Sequence, residues 1–158
     1  LAPAPNPYGY PGNPTAFADP YGLSPCPDNY HNRELPDSTR LGRNLVADGQ
    51  IPARGDQAHH MVPGGINYGG APEMRAILKH FEIGINDAAN GVWLPDHRGM
   101  MGPDDVRVPH HGGGVHSKAH LEDMLRALRR ESTREGVIDV LHDVREALLG
   151  GELYRYGS

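Results

Sequence analysis

The chain has 158 residues, 37% of them apolar, and carries a net charge of −5 from 15 Lys+Arg against 20 Asp+Glu. That length suits one domain with a tail, and the apolar share is low for a fully packed globule. No run approaches the roughly 20 apolar residues of a membrane span, no basic and apolar leader marks a signal peptide, and the lone Cys26 excludes an internal disulfide framework or a four-cysteine zinc site.

Residues 1–57 read as irregular, because Pro3, Pro5, Pro7, Pro11, Pro14, Pro20, Pro25 and Pro27 repeatedly remove backbone donors. Within that stretch only Arg40–Val46 has the pattern of a short helix or strand, and no element is assigned to it. Ala58–Val62 reads as a strand broken by Pro63-Gly64-Gly65. A helix is expected to start near Pro72, with Met74, Ile77, Leu78 and Phe81 on one face. The turn-rich run Asn86–Gly91 leads into Val92-Trp93-Leu94, a second strand that Pro95 stops. Trp93 and the Met74 group are read as core. Residues 95–115 form a Gly- and Pro-rich loop. A helix from about 117 to 130 follows, carrying Leu121, Met124, Leu125 and Leu128. The last helix begins at Ser132, which with Glu135 has capping-box spacing, and it presents Val137, Val140, Leu141, Val144 and Leu148 before Gly150-Gly151 ends it. The expected class is α+β.

Ten histidines are many for this length, and His59, His60, His97, His110, His111, His116 and His120 gather in the strand-to-helix segment. His116 and His120, four apart on a predicted helix, would project from one face and chelate a metal. An isolated HxxxH is more often only a solvated face. The adjacent His59-His60 pair adds weight, since successive strand side chains point to opposite faces and so take different roles. Phosphodiester hydrolysis needs that division: a cation at the scissile phosphate and a separate base for water. Neutral imidazole suits both near pH 7.

Ala58-His59-His60-Met61-Val62-Pro63, the block Ile83–Pro95 containing Asn90, and His116-Ser117-Lys118-Ala119-His120 together resemble the AHH group of HNH/endonuclease VII-type nuclease toxins over roughly residues 54–128. The resemblance implies a ββα-metal, treble-clef-like finger with flanking helices, occupying residues 58–158. It implies His59 as metal ligand, His60 as general base, Asn90 bracing the hairpin, and His116 and His120 completing the metal site. His110 or His111, otherwise surface-loop histidines, are the alternatives for His120. One divalent ion is implied, Mg2+ first, with Zn2+, Ni2+ or Mn2+ as alternatives. Beside the metal face, Arg126 and Arg130 are placed to meet phosphates, with Lys118 as a further contact, although late-helix arginines also suit the helix dipole. Such local clustering is what the net negative charge requires of a nucleic-acid binder.

Residues 6–23, ending in Asp19-Pro20-Tyr21-Gly22-Leu23, resemble the end of an Rhs/YD-repeat core with its DPxGL signature. The resemblance implies cleavage after Leu23 with Asp19 taking part, a linker over residues 24–57, and a toxin delivered from an Rhs shell by a contact-dependent or type VI-like route into a rival bacterium. A cognate immunity protein is the implied partner and DNA the implied substrate. RNA hydrolysis on the same scaffold, or a non-catalytic domain built on structural zinc, are the alternatives.

Overall fold

The computed structural model describes residues 35–157, so Asp19 and Leu23 lie outside the described residues. Helix α1 (Ser38–Ala47) occupies part of the stretch expected to be irregular. Asp37 starts it: its Oδ1 accepts from the amides of Thr39 at 2.8 Å and Arg40 at 3.1 Å. Leu41 and Leu45 give it a buried stripe, and Gly42, which reads as a breaker in isolation, is required by packing. A Cβ at Gly42 would lie 2.9 Å from the Trp93 ring, so the helix rests directly on that indole.

Strands β1 (Asp56–His60) and β2 (Gly91–Pro95) pair antiparallel, with Ala58 opposite Trp93, His59 opposite Val92 and His60 opposite Gly91. Cross-strand partners share a face. Ala58, Trp93, His60 and Gly91 therefore face α1, while His59, Val92 and Leu94 face the remaining helices. Trp93, expected in the core, is only half-buried, roofed by α1 with its Nε1 donating to the Gln50 carbonyl at 3.2 Å.

Helix α2 (Ala71–His80) starts after Gly70, whose φ of 80° is left-handed and whose position leaves no room for a side chain: a Cβ there would meet Leu125 at 2.3 Å. Helix α3 (Lys118–Leu128) is capped by Ser117, and α4 (Arg134–Leu149) by Thr133, whose hydroxyl accepts from Gly136 N at 3.0 Å. The α4 cap is thus one residue later than the Ser132 expected, because Thr133 is the last extended residue and its Oγ1 meets the amide three positions on. Met74, Ile77, Leu78, Val92, Leu94, Leu121, Met124, Leu128, Val137, Leu141, Val144 and Leu148 close one core beneath the hairpin. Arg145 of α4 reaches across it, its Nε donating to Gly91 O at 2.9 Å. Among the described residues the architecture is α+β: a two-stranded antiparallel sheet with one α-helix on one face and three on the other.

At the foot of the hairpin, Arg107 pairs with the buried carboxylate of Asp56 at 2.7 Å and with Asp105 at 2.7 Å. Those two bonds hold the guanidinium charged and pull the Asp105 carboxyl below the usual carboxylate range.

Candidate active site

The register sends two neighbouring histidines in opposite directions from the end of β1. His59 is buried at 3% exposure, and its ring meets His110 at 4.9 Å and His116 at 5.1 Å between centroids. His110 and His116 lie 5.6 Å apart by the same measure, with their Nε2 atoms 3.5 Å apart. One ligating nitrogen from each of the three falls within 4.8 Å of the others. Burial first, and then neighbouring imidazoles, push His59 well below the ordinary histidine value, and burial lowers His110 and His116 as well. The neutral form is the one that ligates metal.

A divalent cation fits this group on the structure's own evidence. The Nδ1 atoms of His110 and His116 are buried and meet no hydrogen-bond partner among the described residues. Orphaned ring nitrogens around a small polar space are costly unless an ion or water uses them. The donor set, all imidazole, suits first-row ions.

His120, expected in the metal set, is not in this group. Shared chelation by His116 and His120 requires both on the helix, but Ser117 is the cap and His116 lies outside it. His120 is buried behind the group, its Nδ1 3.4 Å from the Tyr154 carbonyl, which accepts. The third imidazole is His110, brought in from the loop by its own amide, which donates to Pro95 O at 2.8 Å.

His60 faces the other way. Its Nε2 lies 2.9 Å from Oδ1 of Asn86, a residue whose side chain is fully buried. Asn86 is oriented by the backbone: Oδ1 accepts from Asp37 N at 2.8 Å, and Nδ2 donates to Leu35 O at 2.8 Å. An oxygen therefore faces His60, so Nε2 carries the proton and, in the neutral ring, the lone pair is on Nδ1. In the sequence Asn86 is marked only as part of a turn-rich run, and its position four residues before Asn90 is its one other signal.

Asn90 is also fully buried. Its Oδ1 accepts from Val62 N at 2.8 Å, and its Nδ2 donates to Val62 O at 3.2 Å and Ile85 O at 2.9 Å. It clamps the chain immediately after His60 to the turn before β2. Both histidine faces open on one cleft of about 350 Å3, lined by Pro36, Ser38, His59, His60, Pro63–Ile66, His110 and His116. Ala58, His59 and His60 of β1 border the cleft.

This arrangement has a match among known families. The AHH family model, a nuclease family of the HNH/ENDO VII superfamily with conserved AHH, covers residues 41–145. The chain belongs to the AHH family. The AHH match begins at Leu41 inside α1 and ends at Arg145 inside α4, so it takes in the hairpin, the cleft and α3. No curated protein and no solved structure matches the chain. For this AHH nuclease the substrate is nucleic acid.

The three cations expected to meet phosphate are exposed, and each has a partner within the chain. Arg126 pairs with the buried carboxylate of Asp123, Lys118 lies 3.6 Å from Glu122, and Arg130 stacks over Tyr156 at 5.2 Å.

Proposed function

We propose that the chain is a metal-dependent endonuclease that hydrolyses phosphodiester bonds of DNA, on a ββα-metal plan in which β1 and the loop after β2 carry the ligands and α3 backs them. The observation that carries this reading is the pairing, within one cleft, of a proton-accepting His60 Nδ1 with three clustered imidazoles, two of which, His110 and His116, keep a buried Nδ1 without a hydrogen bond among the described residues. His59, His110 and His116 would hold the ion, and His120 would back them. The bound ion supplies positive charge to offset what develops on the scissile phosphate. The rest falls to the chain. His60 takes a proton from water at Nδ1, and Asn86 stabilises the resulting imidazolium by accepting from Nε2, which keeps the ring aimed through the reaction. Asn90 fixes the backbone on which that ring is mounted. Pro36, Pro63 and Ile66 supply an apolar wall to the cleft.

The same reading extends to biology through the sequence alone. Asp19–Leu23 supports release from an Rhs core by cleavage after Leu23, delivery into a rival bacterium by a contact-dependent or type VI-like system, and a cognate immunity protein in the producer. The test is the full chain with supercoiled plasmid or total RNA, each with Mg2+, Mn2+, Ni2+ or Zn2+, beside His60→Ala. Plasmid nicking and linearisation that His60→Ala lacks are expected. Cleavage of RNA alone would move the substrate to RNA, and no cleavage with any metal would end the enzymatic reading.

A further inference from the structure

His110 belongs to two constellations. Besides its place beside His59 and His116, it has a ligating nitrogen within 4.8 Å of donor atoms of Asp96 and His111. The His111 ring stacks on His110 with centroids 4.6 Å apart. One Asp96 oxygen lies 3.5 Å from His111 Nε2, and the other accepts from His97 Nδ1 at 3.0 Å. The backbone assembles the group: His111 N donates to Asp96 O at 2.8 Å, and His97 and His111 form an isolated parallel bridge. Asp96 is near enough to His110 to share an ion yet does not satisfy it, since the buried His110 Nδ1 has no hydrogen bond among the described residues.

We propose that Asp96, His110 and His111 form a second, competing site for a first-row transition-metal ion. One carboxylate and two imidazoles, completed by water, match Zn2+, Co2+ or Ni2+, whereas Mg2+ prefers oxygen donors and does not take this set. A neutral imidazole has a single free lone pair, so His110 serves one ion at a time. Loading the outer site withdraws His110 from the inner one. The consequence for catalysis rests on the nuclease reading above: excess transition metal inhibits an enzyme that a lower concentration leaves active. The site itself does not depend on that reading.

The experiment is a Co2+ titration of the full chain after chelator treatment, read by visible absorption and by native mass spectrometry without nucleic acid. The wild type is expected to take a second Co2+ after the first, with a change in the absorption of the first as His110 shifts. Asp96→Asn, which keeps an oxygen for His97, and His111→Ala, at a side chain 70% exposed, are expected to weaken the second ion by more than about tenfold and leave the first. In plasmid cleavage supported by a low fixed Co2+ concentration that fills the inner site, further Co2+ is expected to inhibit the wild type and spare both variants to the same extent. A wild type that takes one ion only, or variants that keep the second ion with wild-type affinity, overturns the proposal. Absence of cleavage by every protein sinks the nuclease reading alone, because the ion counts still decide the second site.

Discussion

The two faces of β1 differ in almost every physical respect. On the His59 side the ring is buried among apolar helices and two other imidazoles, and its environment works against protonation. On the His60 side the ring is half-exposed at the cleft and tied to a single buried amide, which in turn is tied to the backbone before α1. One residue of strand separates a place fit to hold a cation from a place fit to pass a proton. The difference teaches that a hairpin needs no long-range design to divide two roles between like residues; the pleat does it.

Breaking the faces separately should give separable losses. The largest effect is expected from His60→Ala, a fall in cleavage of about 10^2- to 10^4-fold, as for loss of a general base, with metal affinity unchanged by calorimetry. His59→Ala should lose metal binding and cleavage together, and a variant that lost cleavage at full metal affinity would contradict the assignment of that face. Next in size is Asp56→Asn. It leaves Arg107 facing one carboxylate instead of two, and the single uncharged oxygen that remains must serve both Arg107 and the Ala53 amide, which one carboxylate oxygen accepts from at 2.8 Å. Because the Asp56 carboxylate is 2% exposed, a loss of about 3 kcal/mol is expected by urea denaturation, without a change in the site's metal affinity.

Asn86→Ala tests how far the His60 face depends on its amide. It should cost about 1–3 kcal/mol in stability from the abandoned Asp37 and Leu35 groups, and about 10- to 100-fold in kcat with little change in KM. An unchanged kcat would show that the tautomer is set by something else. The smallest effect concerns pH. The Asp105 carboxyl is held low by Arg107 when folded, so its contribution is present above the ordinary carboxylate range and is lost as pH falls through the depressed folded value. Lowering the pH from about 5 to about 3 should therefore reduce the urea midpoint slightly less in Asp105→Asn than in the wild type, a difference of under ~1 kcal/mol.

How much of this the sequence displays varies with the range of the forces involved. The hairpin strands, α2, α3 and α4 follow from local periodicity, and the opposed directions of His59 and His60 follow from strand alternation. Helix α1 was illegible because its two buried leucines are too few to set a period, and because Gly42 makes sense only once Trp93 lies beneath it. His110 was one of three histidines in a Gly- and Pro-rich loop. What selects it is the pair of backbone bonds to Pro95 and Asp96, made across more than a dozen residues and without any side-chain signature. The helix read as starting one position early put His120 beside His116 by arithmetic, and a single serine cap undid it.

Trp93 is the sole tryptophan, and it sits between the hairpin and α1 with its indole nitrogen bonded to Gln50. Emission from this protein is thus a site-specific optical signal of whether α1 is docked. A red shift that precedes loss of helical ellipticity would reveal α1 lifting from the hairpin, and with it the Asp37 and Asn86 ties that aim His60, while the helices on the other face still hold.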